Sequence, residues 1–421
     1  MDSPWTMKSL KRLNSGGVYN LDPSRCKSEE FEYYSIPAYQ EGRQPVQVLG
    51  ETILSQKLVI SERCILFGKL NPRVEKVWFV NSASEKRRLA STEWLPIMPT
   101  AEVNQAYLYF VLWSDWVMPI AQNLVSGSTP SRERVEPKSF YEIEVPIPPK
   151  PEQAKIAAVL WKIQRAIEVE EKLVATAREL KQAAMRQLFT RGLRGEPQKE
   201  TEIGPIPESW RLNPLESCCE VVSSSISYTD FLLLNEGDSL NSCPAMGIKV
   251  SDMNLPGNEL RMRKAKLEKQ ISKELAVRKL VPPETIVFPK RGAAIATNKK
   301  RMTTVWTVLD PNLIGVRAGN GVDSGYLFHW FQNFDLRNIT EPGPTPQLNK
   351  KNLTPLLLPI PTDIHEQQEI ASILNSIDRK ITLHSKKQAV LQDLFKTMLH
   401  KLMTGEIRVA DLEIDTSEVT A

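Results

Sequence analysis

The run EQAKIAAVLWKIQRAI, Glu152 to Ile167, returns 214 residues later as EQQEIASILNSIDRKI, Glu366 to Ile381. Glu152, Gln153, Ile156, Ala157, Leu160, Ile163, Arg165 and Ile167 fall without a gap on Glu366, Gln367, Ile370, Ala371, Leu374, Ile377, Arg379 and Ile381. The frame persists downstream as Leu180/Leu394, Leu188/Leu402 and Thr190/Thr404, and a proline-rich entry precedes each copy, VPIPP from Val145 and LPIPT from Leu358. A motif this long, repeated once at half the chain length, marks a tandem pair of similar units.

Each copy reads as a long helix. In the first, Pro151 suits the opening turn, where a missing N–H costs nothing. Apolar residues follow at 156, 160, 163, 167, 174, 177, 180, 184 and 188, a 3–4 spacing that makes one stripe. The glycines and proline of Arg191–Pro197 end it. Residues 152–190 would span roughly 58 Å at about 1.5 Å per residue, well beyond an ordinary globular helix. In the second, Asp363 and Glu366 have the spacing of a capping box, and the stripe runs from 370 to 402 before Gly405, broken by His384 and Gln388. The length and the duplication favour a pair of spacer helices over two core-facing ones. Their expected seam positions are Ile156, Leu160, Ile163, Ile167 and Glu170 on the first helix and Ile370, Leu374, Ile377, Ile381 and His384 on the second. Glu170 aligns with His384. If the helices pack antiparallel, these two polar breaks are expected to pair near mid-helix and help to fix register.

The 421 residues, 41% apolar and 25% charged, are ordinary for a soluble globular protein of two to four domains. No apolar run approaches the roughly 20 residues of a membrane span. The opening MDSPWTMKSLKRL lacks the apolar core of a signal peptide, so a cytoplasmic location is expected. Cys26, Cys64, Cys218, Cys219 and Cys243 form no C-x-x-C pair, which fits idle thiols in a reduced compartment. Residues 1–148 carry 17 basic and 17 acidic residues, and residues 200–361 carry 19 and 17. Any nucleic-acid surface must therefore be a local patch. The last twelve residues, ADLEIDTSEVTA, are acidic and small and read as a loose tail.

The organisation expected is a globular unit over 1–150, a helix over 151–196, a second globular unit over 197–361, a second helix over 362–408 and an acidic tail over 409–421. The units share a grammar. PWTMKSL (Pro4–Leu10) returns as ESWRLNPL (Glu208–Leu215), and AYLYFVLW (from Ala106) as GYLFHWFQ (from Gly325). The loop SGSTPSRER (Ser126–Arg134) returns as PGPTPQLNKK (from Pro342). Lys57–Val80 reads as strands joined by turns at Gly68 and Asn71-Pro72. Ala106–Val117, apolar nearly all round, fits a buried helix or a strand, and periodicity does not decide between them.

No catalytic constellation emerges. There is no G-x-x-x-x-G-K-[ST] loop, no G-x-G-x-x-G and no H-E-x-x-H, and the four histidines are scattered. The positive signal is basic clusters among amides, glycines and turns. Lys and Arg bind phosphate, Arg also reads guanine, and Asn and Gln read adenine. The candidate DNA contacts in the first unit are Lys69, Asn71, Arg73, Thr129, Arg132 and Arg134, with EKRR (Glu85–Arg88) as a further cluster. In the second they are Arg261, Arg263, Lys290, Arg291, Asn298, Lys299, Lys300, Thr345, Gln347, Asn349 and Lys350. A lone Lys/Arg pair is ordinary surface. The recurrence in both units is what raises these clusters above that.

The whole pattern resembles the specificity subunit of type I restriction–modification enzymes. The resemblance rests on the P-I-P-x-x-x-E-Q entry to a long helix, present twice, and on IPESW at the start of the second unit. It rests also on FGKLNPR and on the G-S-T-P and G-P-T-P loops ahead of the helices. One departure is that the first unit keeps only Pro4 and Trp5 of the IPESW start. The resemblance implies an α+β protein with two target recognition domains joined by two long antiparallel helices in a pseudo-twofold repeat. It implies a noncatalytic DNA reader, each domain binding one half of an asymmetric bipartite double-stranded site. The helices would set the gap and dock two methyltransferase subunits, with restriction and translocase subunits as further partners. S-adenosylmethionine, ATP and Mg would belong to those partners, and this chain would hold no cofactor or metal. A stand-alone sequence-specific DNA-binding protein, a coiled-coil scaffold without a DNA role and an enzyme with an unrecognised site remain as other readings.

Overall fold

The computed structural model describes residues 5–82, 84–127, 129, 132–234, 241–341 and 346–419. It divides into two compact units, 1–172 with 385–421, and 173–384.

In the first unit, strands β1 (Thr6–Ser9), β2 (Tyr19–Leu21), β3 (Glu30–Tyr34), β4 (Val46–Leu49), β5 (Lys57–Ile60), β6 (Ile65–Gly68), β7 (Val77–Phe79), β8 (Arg88–Ala90) and β9 (Trp94–Ile97) precede helix α1 (Gln105–Trp113). Strand β10 (Glu144–Ile147) then leads into α2 (Lys150–Arg191). One sheet has the order β2-β5-β8-β3-β4 and a second β7-β6-β9, while β1 pairs antiparallel with β10. The turn between β6 and β7 places Asn71 in the left-handed region, at φ 47°, a conformation that Asn tolerates better than most residues. The ambiguous apolar segment is helix α1, with Ala106 to Leu112 all buried. It is apolar all round because it is covered all round. The sheet residues Ile65, Phe67 and Leu95, the first turns of α2 (Ile156, Leu160) and Leu399, Leu402 and Met403 from near the chain's end share one core with it.

The second unit repeats the plan. Its strands are β11 (Arg211–Pro214), β12 (Cys219–Val222), β13 (Ser242–Ile248), β14 (Arg261–Met262), β15 (Leu267–Ser272), β16 (Ile286–Pro289), β17 (Arg301–Thr303), β18 (Trp306–Leu309) and β19 (Leu313–Ala318). Helix α3 (Ser324–Asn333), strand β20 (Leu357–Ile360) and helix α4 (Ile364–Met403) follow. The sheets are ordered β12-β19-β16-β17-β14 and β15-β13-β18, and β11 pairs antiparallel with β20. Strand β16 lies between β17 and β19 as β6 lies between β7 and β9. The parallel pair β13/β18 matches β3/β8. The core joins Tyr326, Phe328 and Phe331 of α3 to Ile370, Leu374 and Ile377 of α4 and to Met185, Leu188 and Phe189 of α2.

Each unit thus contains an antiparallel stretch of the two long helices, since the early residues of one meet the late residues of the other. Residues 150–172 of α2 belong to the first unit and 173–191 to the second. In the first, Lys387 Nζ lies 2.6 Å from Glu170 Oε1 and Gln388 Nε2 donates to Glu171 Oε1 at 3.1 Å. In the second, Lys181 Nζ grips both oxygens of Asp378 at 2.7 and 2.9 Å. Glu170 and His384 fall in different units, and their pairing stays a proposal.

The repeated Glu-Gln now has a physical role. Gln153 is buried. Its carbonyl oxygen accepts from Asn104 N at 2.8 Å, and its amide donates to Pro148 O at 2.8 Å and Glu102 O at 3.4 Å. Gln367 does the same in the second unit, accepting from Asp323 N at 2.8 Å and donating to Pro361 O at 2.9 Å and Gly321 O at 3.0 Å. Asn104 and Asp323 are the N-caps of α1 and α3. One side chain therefore ties the start of a long helix to the strand before it and to the buried helix beside it. A primary amide is needed because the site demands one acceptor and two donors. The neighbouring glutamates are buried too. Arg408 binds Glu152 at 2.6 and 3.0 Å, and Trp5 Nε1 donates to it at 3.2 Å. Glu366 accepts from Leu193 N at 3.2 Å, with Arg194 Nε at 3.8 Å.

Two expectations need correction. Asp363 does accept from His365 N at 2.9 Å, as an N-cap does. Glu366, however, turns to Leu193 and Arg194 instead of closing a capping box, because its buried position offers a charged partner. The acidic tail is not loose among its described residues. Val409 and Val419 are buried in the first unit's core, Lys155 Nζ donates to Ala410 O at 2.5 Å and Asn104 Nδ2 to Val419 O at 2.8 Å. Its few apolar residues find that core, which is why a polar composition does not leave it free. No helix among the described residues is long and apolar enough to cross a membrane.

Candidate nucleic-acid interface

The loop after β6 and the loop ahead of β10 come together through main-chain hydrogen bonds. Val135 N donates to Lys69 O at 3.0 Å and Asn71 N to Glu133 O at 2.8 Å, with a bridge between Leu70 and Arg134. In the second unit Leu348 N donates to Lys290 O at 2.9 Å and Gly292 N to Pro346 O at 2.8 Å, with a bridge between Arg291 and Gln347. The correspondence is residue for residue. Lys69 stands where Lys290 stands, Leu70 where Arg291, Asn71 where Gly292 and Arg134 where Gln347. Asn71 and Gly292 both have positive φ, 47° and 66°. Each unit thus builds the same two-loop ridge, and most candidate contacts lie along it.

On the first ridge Arg73, Thr129, Arg132 and Arg134 are exposed, and Lys69 and Asn71 are half-buried. Much of this charge is answered locally. Arg134 pairs with Glu93 at 3.0 Å, Arg73 with Glu133 at 3.4 Å, and Lys69 Nζ donates to Thr92 O at 2.9 Å. The Glu93 carboxylate pushes the Arg134 pKa up, holding the guanidinium charged. On the second ridge Arg291, Gln347 and Lys350 are exposed and Lys290 is half-buried. Among the described residues no carboxylate pairs with Arg291, Lys290 or Lys350, so their donors remain available to a ligand. Asn349 caps a short helix, Lys350–Leu353, its N–H donating to Asn352 Oδ1 at 2.8 Å. Thr345 lies outside the described residues.

A second basic group in that unit surrounds β14. Arg261 is half-buried, its guanidinium 3.0 Å from Met302 Sδ, while Arg263 is exposed. The fully buried Asn258 organises this loop. Its amide donates to Asp252 O and Lys264 O at 2.9 and 2.7 Å, and its oxygen accepts from Arg263 N at 2.8 Å. This aims Lys264 and Lys266 at solvent beside Arg263. Lone Asn258 gives no sign of that role in the sequence.

Four of the candidates are engaged within the fold. Lys300 is 1% exposed, and its ammonium donates to Asn298 Oδ1 and to Phe334 O. Burial lowers its pKa to about 8. It holds the structure together and cannot reach a duplex. Asn298, with φ 51°, is spent on the same network, accepting from Lys300 and from Leu336 N at 3.0 Å. Lys299 donates to Asn254 Oδ1. In the first unit EKRR is no basic patch, because Lys86, Arg87 and Arg88 pair with Glu30, Glu29 and Glu32 at 2.8, 2.6 and 3.4 Å.

No group of His, Cys, Asp or Glu among the described residues could hold a metal ion. The described residues of the ridges offer hydrogen-bond donors and amides. Residues 278–393, which contain the second unit's ridge and run into α4, match the model of the type I restriction modification DNA specificity domain. Over most of its length the chain is similar to specificity subunits of type I restriction enzymes. It is 22% identical over 427 residues to the type I restriction enzyme MjaVIII specificity subunit of Methanocaldococcus jannaschii, covering 93% of this chain and 90% of that one. A putative MjaX specificity subunit from the same organism is 23% identical over 371 residues, covering 85% and 81%. Among solved structures, the S subunit of the type I restriction–modification system from M. genitalium has a TM-score of 0.59 at 13% identity, covering 95% and 96%. A chain from a study of type I R-M complex assembly and conformational transition has a TM-score of 0.52 at 17% identity, covering 96% and 98%. At these identities the structural likeness speaks for the fold.

Proposed function

We propose that this specificity subunit reads a bipartite DNA site, one tract with each unit, and carries out no chemistry itself. The observation that carries the proposal is the ridge built twice on the same main-chain frame with different side chains. Lys69 and Lys290 occupy equivalent places and suit phosphate, which positions a reader without informing it. Arg134 faces outward where Gln347 does. An arginine suits guanine and a glutamine adenine, so the two tracts should differ and the whole target should be asymmetric. The long helices set the unread gap between the tracts, as rigid spacing sets half-site separation in dimeric readers. Glu170 and His384 fix their register. The helices' exposed surface docks two methyltransferase subunits. S-adenosylmethionine, ATP and Mg serve those subunits and the restriction/translocase partners. The cell compartment is the cytoplasm, where such partners meet DNA.

The test is a swap of residues 198–361 for the corresponding unit of another specificity subunit, followed by methylome sequencing in a host expressing the matched methyltransferase. One tract of the methylated site should change and the other persist. Simultaneous change of both tracts would overturn the modular reading. Loss of steep salt dependence in DNA binding would overturn the phosphate contacts.

A further inference from the structure

We propose that the second unit carries a docking groove for an acidic, extended segment of a partner subunit. The segment lies between the start of α3 and the first half of α4, as the chain's own tail lies in the first unit. This assignment rests on the reading that other subunits assemble on the chain, and it adds to that reading a site and the chemistry of its occupant.

In the first unit the tail crosses two landmarks. Asn104, the N-cap of α1, donates from Nδ2 to Val419 O at 2.8 Å, and Arg165 Nη1 of α2 lies 3.4 Å from Glu418 Oε2. Val409 and Val419 are buried, and Ile414 packs against the same core. A short acidic stretch is thus held by a bond to its main chain, an ion pair and its aliphatic side chains. The same landmarks recur in the second unit. Asp323 caps α3 as Asn104 caps α1, and Arg379 falls on Arg165 in the duplicated motif. Between them runs an open groove of 280 Å³, bounded also by Arg261, Met302, Ser372 and Asn375.

Smaller side chains leave this place open. Gly325 stands for Ala106 and Asn375 for Trp161, whose indole packs against Phe79 with ring centroids 5.0 Å apart. The chain after α2 is the sequence counterpart of the tail. There Arg194 Nε lies 3.8 Å from Glu366, as Arg408 meets Glu152. The backbone then doubles back, with Gln198–Lys199 pairing to Ile206–Pro207, and neither of these paired stretches lines the groove. The groove is also separate from the ridge. Glu284 borders it ahead of β16, whereas Lys290 of the ridge follows that strand.

Its charge calls for an acidic occupant. Arg379 is exposed and Arg261 half-buried, and among the described residues neither has a carboxylate within ion-pair distance. The Arg261 charge reaches Asp378, but Lys181 already grips that carboxylate at 2.7 and 2.9 Å. The two carboxylates that line the groove are engaged as well, Glu284 by Ser324 Oγ and Asp323 by Tyr326 N, each at 2.8 Å. A carboxylate on the incoming segment answers the guanidiniums, which suit planar, bidentate recognition. Asp323 cannot donate as Asn104 does, so it accepts a main-chain N–H of the segment instead.

The test has two arms, both on the full chain. A fluorescent peptide of residues 409–421 should bind once per chain, because the first unit's own site is filled by the tail. Arg379→Ala should weaken that binding about fivefold, the upper range for an exposed ion pair, and Arg379→Glu about tenfold. A peptide carrying Glu418→Gln should bind as weakly to wild type as the normal peptide binds to Arg379→Ala, while Arg165→Ala in the chain should leave binding in place. No saturable binding by wild type, or a loss with Arg165→Ala and none with Arg379→Ala, would overturn the groove. In the second arm, a benzophenone photo-cross-linker replaces Ser372 in the chain assembled with its methyltransferase. It should attach to an acidic segment of that subunit. Attachment to a second copy's tail, to a segment without carboxylates or to nothing would overturn the partner assigned. A wild-type chain that forms no complex with the methyltransferase would instead overturn the assembly reading beneath it.

Discussion

Replacing Gln367 by glutamate alters one atom's hydrogen-bonding capacity and almost nothing of the shape. The oxygen that accepts from Asp323 N survives, but the amide that donates to Pro361 O at 2.9 Å and Gly321 O at 3.0 Å becomes an acceptor aimed at two acceptors. Gln367 and its bond to Pro361 O are buried, so water does not take over there, whereas Gly321 is exposed and its carbonyl can turn to solvent. Leaving the buried Pro361 carbonyl unsatisfied costs about 1–3 kcal/mol, with more to add for an ionised carboxylate. Protonation restores one donor. The variant's deficit should therefore shrink as pH falls from 8 to 5, in the sense of a carboxyl whose folded-state pKa is raised. Denaturant unfolding of the whole chain at both pH values measures this, with Gln368→Glu at the exposed neighbouring position as the control. Gln153→Glu should behave alike in the first unit. A loss under about 1 kcal/mol at pH 8, or a deficit that does not change with pH, would refute the role assigned to this amide.

Lys181→Met strands the Asp378 carboxylate, whose pKa burial already raises, and should cost about 3–5 kcal/mol by denaturant unfolding; a loss within experimental error would show the pair to be idle. His329 is fully buried, and burial together with the Lys181 charge lowers its pKa to about 3. Its neutral form is the folded form, so stability is unaffected above about pH 6.5 and should fall by up to about 1.4 kcal/mol per unit between there and pH 3, as the unfolded chain alone takes up the proton. His329→Gln should flatten that slope, and an unchanged slope would refute the assignment. Arg291→Ala should relax one position of one tract by about 1–3 kcal/mol, read as degenerate methylation there; degeneracy in both tracts would refute a ridge that serves one half-site. Four residues inserted in α2 add about 6 Å and should lengthen or shorten the methylation gap by about two base pairs at about 3.4 Å each, whereas an unchanged gap would count against the spacer.

The helices and their duplication were legible because a stripe of apolar residues at 3–4 spacing has one physical meaning, and 16 aligned residues repeat it. The function of the Glu-Gln at their start was not legible. Its partners are main-chain atoms of Asn104, Pro148, Asp323 and Pro361, and no residue type announces them. Local charge misled in a consistent way. EKRR looks basic until β3 and β8 bring Glu29, Glu30 and Glu32 beside it from more than fifty residues upstream. Lys300 looks like surface until the start of β17 carries it inside against Phe334 O. By contrast, the two stretches chosen for the first ridge, around Lys69–Arg73 and Thr129–Arg134, proved to be neighbours. Turn chemistry at Asn71-Pro72 and in the Ser/Thr/Gly loop had marked both as exposed connections, though nothing in one sequence says that they meet.

The way the ridges are held explains how a reader can change its target without losing its fold. The two loops of each ridge are joined through the main chain, Val135 N to Lys69 O and Asn71 N to Glu133 O, or Leu348 N to Lys290 O and Gly292 N to Pro346 O, with the Arg73–Glu133 pair as an added tie in the first. The main-chain bonds are indifferent to which side chains point outward. Substitution at the exposed positions should therefore cost within about 0.5 kcal/mol of stability, as surface changes do, while altering which base edge is met. Stability is concentrated elsewhere, in Gln153, Gln367, the buried glutamates and the helices α1 and α3 that they secure. Where the two units must be alike they are alike to the hydrogen bond, as with Tyr107 and Tyr326, whose hydroxyls donate to Pro146 O at 2.8 Å and to Pro359 O at 2.6 Å. Where they are free to differ, Arg134 stands in one and Gln347 in the other. A scaffold that separates its folding bonds from its reading side chains lets one protein carry two different readers, and lets either of them drift to a new sequence while the other keeps its own.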